Sequence, residues 1–149
     1  MGNRMQDVLG EPLGDQPEEP TRELTVEEAI DLAIQLQRQG DFDAAAIMFR
    51  EIRTVAPSDV RAMHYAGVLA HQQGRSGEAV DLIAQSLALD GSRADWHNNL
   101  AIVLQRASRF DEAIAAYQRA IALNPSHVAA HSNLGVLLRA TNRPQEAEA

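Results

Sequence analysis

Asn99 and Asn133 stand 34 positions apart, each followed by a leucine and a small residue. A carboxamide offers a donor and an acceptor together, so asparagines stacked at such an interval can grip the amide groups of an extended peptide without reading its side chains. The same residue type also serves helix packing or solvent contact, and both readings stand at this level. His127 and His131 sit four apart, which can place two imidazoles on one helix face. No glutamate lies between them and no third ligand is evident, so capping, packing or peptide contact is expected of them, and no metal. The acids Asp111 and Glu112 fall at a helix start, where they favour the helix dipole. All 13 basic residues are arginine, which excludes a Schiff-base or phosphate-loop lysine. The absence of cysteine excludes a disulfide or a thiolate metal site. With no glycine-rich loop after a strand and no Gly-x-Ser-x-Gly, we expect no catalytic residue and no cofactor.

Helices must position these groups. Between Ala94 and His127 two apolar patterns of helical period follow one another, with Leu100, Ala101 and Leu104 on the first and Ala113, Tyr117 and Ala120 on the second. Ala107-Ser108-Arg109 joins them and Asn124-Pro125 closes them. Shifted by 34 residues, Gly67, Ala79 and Ile83 stand where Ala101, Ala113 and Tyr117 stand; Ala33, Ala45 and Phe49 come one step earlier, and Gly135 and Ala147 one step later. Four copies begin near Val26, Val60, Ala94 and Val128. At 45% apolar but only 4% aromatic, the chain must build a thin seam of small side chains between stacked helices.

Local signals set the bounds. Thr25-Val26-Glu27-Glu28 reads as a capping box. Helices are expected over 26–38, 42–55, 60–72, 76–89 and 128–140, with Gly40-Asp41 as a turn and Pro57 as a stop. Leu32, Leu36, Phe42, Phe49 and Val55 read as the buried seam of the first copy. The second copy has Ser76 and Gly91 where its neighbours have an aromatic and a proline, and is expected to be the loosest. Trp96 packs against the preceding copy or stands exposed as an anchor for a partner.

This 34-residue period of helix pairs resembles the tetratricopeptide repeat, over Val26 to Ala149. The resemblance implies an all-α, right-handed solenoid of antiparallel helix pairs, divided as 25–59, 60–93, 94–127 and a truncated 128–149. It also implies a module that binds a protein or an extended peptide in a concave groove lined by the first helix of each pair. Carried onto this sequence, that face holds Glu27, Ile30, Asp31, Ile34, Gln37 and Arg38, then Arg61, His64, Tyr65, Val68, His71 and Gln72. It continues with Asp95, Asn98, Asn99, Ile102, Gln105 and Arg106, and with Ser132, Asn133, Val136 and Arg139. The expected ligand contacts are Asn99, Asn133, Arg106, Arg139, Tyr65, His64, Asn98 and Arg61. Ile30 stands where the carboxylate clamp of some tetratricopeptide cochaperones has a lysine, so that mode is rejected.

Asn99-Leu100-Ala101 with Glu112-Ala113, and Asn133-Leu134-Gly135 with Glu146-Ala147, are similar to the repeats before the catalytic domain of bacterial O-GlcNAc transferase-like proteins. That implies an alternative, in which these repeats select substrates for a glycosyltransferase domain beyond residue 149. In such repeats an asparagine ladder holds protein substrates; Asp31 and Tyr65 depart from it, so a ladder here would start only at the third copy.

Charge and hydropathy narrow the partners. Of the net charge of −8, residues 1–23 supply −4 (six acids less two arginines), and residues 1–24 read as a disordered acidic tail. In a second reading, Glu18, Glu19 and neighbouring acids fold back onto repeat arginines as a pseudo-ligand. An acidic balance argues against nucleic acid. No apolar run approaches the roughly 18 to 20 residues of a bilayer span, so no membrane association is expected and the cytoplasm is the expected compartment. The all-arginine, alanine-rich composition suggests a bacterial source. The chain is expected to be the first piece of a longer protein, and its open end, exposing Leu134 and Leu138, invites self-association.

Overall fold

The computed structural model describes residues 23–142. Among them lie seven helices and no strand: α1 Val26–Arg38, α2 Phe42–Val55, α3 Val60–Gln72, α4 Ser76–Leu89, α5 Ala94–Arg106, α6 Phe110–Leu123 and α7 Val128–Ala140. Each packs against the next and each first helix also meets the following first helix, so the chain is an all-α solenoid of antiparallel helix pairs. The expected tail, save Glu23 and Leu24, and the expected second helix of the last copy lie outside the described residues. Among the described residues no helix is long and apolar enough to cross a membrane.

The helix starts are chemically distinct. At α1 the Thr25 hydroxyl accepts from the Glu28 amide at 3.2 Å and the Glu28 carboxylate accepts from the Thr25 amide at 2.9 Å, completing the capping box. Asp41 and Asp59 cap α2 and α3 through Ala44 and Ala62. At α4 and α6 an arginine occupies the cap position without a side-chain cap, and Arg75 and Arg109 instead pair with Glu78 and Glu112 one turn on.

The first helices end alike. In the first three pairs, the amides of Asp41, Arg75 and Arg109 reach back to the carbonyls of Leu36, Ala70 and Leu104, while those of Gly40, Gly74 and Ser108 bond Gln37, His71 and Gln105. This is the Schellman closure, which needs a left-handed residue. Gly40, Gly74, Ser108 and Asn142 hold that place with φ of 83°, 81°, 59° and 59°.

Small residues set the spacing within each pair. Ala33 and Ala45, and Ala101 and Ala113, are wholly buried where first and second helices cross. At the matching crossing of α3 and α4, a methyl group on Gly67 would lie 2.6 Å from Ile83 Cγ1 and 3.2 Å from the Ala79 carbonyl, so only glycine fits. Two apolar clusters form the seam, one under α1 to α4 and one running from α3 to α7.

Three expectations fail here. The second pair is not loose: Leu69 and Leu82 belong to the first cluster and Ala70, Ala79, Val80, Ile83 and Leu87 to the second, so it joins both. Of the expected seam of the first pair, Phe49 is buried and Leu36 and Phe42 pack against the cluster of Ile30, Ala33, Ile34, Ala45 and Ile52, but Val55 is 74% exposed on the last turn of α2. Leu138 is 1% exposed and Leu134 packs against the same cluster, so neither is the open apolar surface expected.

Candidate functional site

Two open clefts lie on the face built by the first helices. One, between α1 and α3, is lined by Asp31, Ile34, Gln35, Arg38, Arg61 and Tyr65. The other, where α5, α6 and α7 meet, is lined by Ile102, Gln105, Arg106, Phe110, Tyr117 and Asn133. A third depression lies on another side, among α2, α3 and α4, and carries Arg50, Arg53 and Arg75.

The expected site residues divide into ligand-accessible and structural groups. Arg61 and Tyr65 share the first cleft; Arg61 bonds Asp31 at 2.7 Å, and that hydrogen bond raises its pKa above the ordinary arginine value. Arg106 and Asn133 share the second cleft. Arg139 is exposed six residues beyond Asn133 on α7 and lines neither cleft.

His64 and Asn98 are corrections. His64 is 1% exposed, its ring stacked on Trp96 with centroids 4.1 Å apart, and Asn98 is 7% exposed. Neither faces a ligand; both hold the next repeat. Asn99 donates to His64 Nε2 at 3.2 Å, and Asn133 donates to Asn98 Oδ1 at 3.4 Å. Gln37 donates to Gln72 at 2.7 Å in the same register, so each contact joins residues 35 apart, one more than the repeat. Ile30, also expected on the groove face, is wholly buried in the same column as His64 and Asn98. The apolar member of that column was the signal that its first three members pack inward, whereas Ser132, the fourth, is exposed.

Burial fixes the protonation of these groups. Desolvation, helped by the Arg93 guanidinium, pushes His64 down to about 3, so it is neutral at pH 7. Its Nε2 accepts from Asn99, which leaves the proton on Nδ1, where it has no partner among the described residues. Arg93 also lies over the Trp96 ring, 4.4 Å from the centroid. Trp96 is therefore a packing residue, 4% exposed, and not a partner anchor.

Tyr117, pushed up to about 12 by burial, stays a neutral phenol and donates to Gln105 Oε1 at 2.9 Å. That bond closes the floor of the second cleft. Phe110 and Tyr117, from the second helix of their pair, complete a wall that the first-helix assignment alone missed. The signal for Phe110 was a large apolar residue directly after a turn whose arginine already had a partner.

The two spaced histidines cap and brace. His127 Nδ1 accepts from the Ala130 amide at 3.1 Å, which places the proton on Nε2, where it donates to Asp95 at 2.6 Å. His131 Nε2 donates to the Pro125 carbonyl at 2.7 Å. Among the described residues, Asn99 and Asn133 each keep the carboxamide oxygen and one of two N–H groups uncommitted after their repeat-to-repeat bond, so the half-buried amides can still meet a peptide backbone.

Comparison with known proteins follows this geometry. The tetratricopeptide repeat family model matches residues 30–95 and 98–149. No curated protein matches the chain. A Thermobaculum terrenum O-GlcNAc transferase mutant is 31% identical, with a TM-score of 0.72, over 76% of this chain and 22% of that one. MamA from Desulfovibrio magneticus RS-1 superposes with a TM-score of 0.77 at 19% identity, over 83% of this chain and 70% of that one. Another MamA crystal structure gives 0.72 at 24% identity, over 77% and 67%. The MamA likenesses show the fold alone, and the chain spans about a fifth of the transferase it matches.

Proposed function

The chain belongs to the tetratricopeptide repeat family, and from the chemistry of its first-helix face we propose that it is a protein-binding module that takes an extended partner segment along that face. The observation that carries this reading is the second cleft. There Asn133 offers a carboxamide oxygen and an N–H uncommitted among the described residues, beside apolar lining from Ile102, Phe110 and Tyr117. A backbone amide needs that pairing of donor and acceptor, and an apolar side chain needs that floor.

The test is selection of a random dodecapeptide phage library on the whole chain and on Asn99→Ala/Asn133→Ala, with circular dichroism melts of both proteins. Peptides that bind the first and lose affinity for the folded second support the reading. Peptides that bind both equally remove it.

A second reading rests on the 31% identity to the O-GlcNAc transferase mutant. In it these repeats select substrates for a catalytic domain encoded downstream. Reading the gene past codon 149 decides: a sugar-nucleotide-binding domain supports this version, whereas further repeats and a stop leave the scaffold.

A further inference from the structure

The two edges of the first-helix face differ in which charges are already satisfied. On the edge nearer the helix starts, Asp31 is bonded by Arg61 at 2.7 Å and Asp95 by His127 at 2.6 Å. Glu27 is the remaining acid of that edge, in the first turn of α1, two repeats before the α5 wall of the second cleft. At the helix ends, Arg38, Arg106 and Arg139 are exposed, and among the described residues no carboxylate pairs with any of them. Asp111 and Glu112 follow the cleft residue Phe110 on α6, and Glu112 is bonded to Arg109. Cations without partners thus line one edge of a face whose opposite acids are mostly engaged, in a chain of net charge −8.

We propose that the cleft between α5, α6 and α7 selects acidic segments: an apolar side chain settles on Ile102 and Phe110, and carboxylates beside it pair with Arg106 and Arg139. This rests on the reading of the first-helix face as the binding face. Arginine presents a planar fork that matches a carboxylate in two hydrogen bonds, and it stays charged at any working pH. Arg106 lines the cleft itself, within reach of whatever lies on Phe110 and Ile102. Arg139 does not line the cleft: it follows Asn133 by six residues on α7, about 9 Å along the helix axis and roughly 120° around it, so it is reached only by a carboxylate beyond the residue anchored at Asn133. Because the whole molecule repels acids at long range, the attraction is local to this edge and weakens with salt.

The experiment is the same phage selection, extended to Arg106→Ala/Arg139→Ala and to Arg106→Glu/Arg139→Glu. Both arginines are exposed, so unchanged thermal melts are expected of each variant. The unaltered chain should enrich peptides with an apolar residue beside Asp or Glu. One such peptide, synthesised, should lose ~10-fold in affinity on changing its acids to amides or on the double alanine substitution. The charge-reversed variant should enrich Lys and Arg instead. Peptides that depend on Asn99 and Asn133 but show no acidic enrichment overturn this inference and leave the binding face intact. No peptide sensitive to any first-helix substitution overturns both.

Discussion

Asn99 reaches back across a repeat boundary and donates its side-chain N–H to Nε2 of His64, 3.2 Å away. The acceptor is a neutral imidazole stacked on Trp96, and its other nitrogen has no partner among the described residues. Asn99→Ala therefore strips a buried ring of its one hydrogen bond. A buried polar atom left unpaired costs about 1–3 kcal/mol, against a helix-propensity gain of roughly half a kcal/mol for alanine. Urea unfolding should show a net loss of about 1–2 kcal/mol, with the chain still folded. Asn133→Ala, whose partner bond is 3.4 Å and less buried, should cost less. Equal and negligible losses would show that these bonds do not join the repeats.

The same histidine makes stability depend on acid. Its folded pKa of about 3 lies below the ordinary 6.5, so between those values the unfolded chain binds the extra proton. Stability is full above about 6.5 and falls as pH drops through that window toward 3, by at most about 1.4 kcal/mol per pH unit. His71, also lowered by burial and by Arg106, acts in the same direction. Between pH 7 and pH 5, urea titrations should lose roughly 2 kcal/mol through His64 alone. His64→Phe keeps a ring against Trp96 and removes the titration, so its stability should vary less by that amount. An unchanged pH slope in His64→Phe would place the acid sensitivity elsewhere.

The helices were legible because their signals are local. Apolar spacing, the Thr25 box and Pro57 bound α1 and α2 without reference to anything distant. The site was less legible because the contacts that decide burial lie between repeats. Ile30, His64 and Asn98 share a column at 34-residue spacing and are all buried. His64 and Asn98 meet instead the neighbouring column of the next repeat, Asn99 and Asn133, 35 residues on, a contact that no single copy displays. The column of Val55, Leu89 and Leu123 misleads in the opposite sense, apolar throughout yet exposed at the last turn of each second helix.

Two glycines in equivalent places should respond to alanine with opposite signs. At Gly67 the new methyl would meet Ile83 Cγ1 at 2.6 Å, Leu82 Cβ at 3.1 Å and a backbone carbonyl at 3.2 Å, none of which is a flexible side-chain end. Overpacking costs about 1–3 kcal/mol, more than the ~1 kcal/mol alanine gains in helix propensity. At Gly135 the first atoms met among the described residues are the guanidinium nitrogens of Arg139, at 3.6 and 3.8 Å, which can swing away. Gly135→Ala should therefore stabilise by up to ~1 kcal/mol, and Gly67→Ala should destabilise. Thermal melts of the two variants check the pair; shifts of the same sign would mean that the α3–α4 crossing yields where it is drawn rigid.

Ser108 carries the left-handed turn that Gly40 and Gly74 carry in the first two pairs, at φ 59°. A side chain in that conformation costs roughly 1–2 kcal/mol, because Cβ crowds the following carbonyl. Glycine removes the crowding but gives the unfolded chain more freedom, which offsets about 0.5–1 kcal/mol. Ser108→Gly should thus raise stability by up to ~1 kcal/mol, and Gly74→Ser should lower it by a similar amount, both read from urea midpoints at constant slope. The turn has one further constraint: the Arg109 amide must still reach the Leu104 carbonyl, now 2.9 Å away, to close α5. If Ser108→Gly destabilises instead, the serine side chain is rigidifying the turn between α5 and α6, and the left-handed strain is smaller than its φ implies.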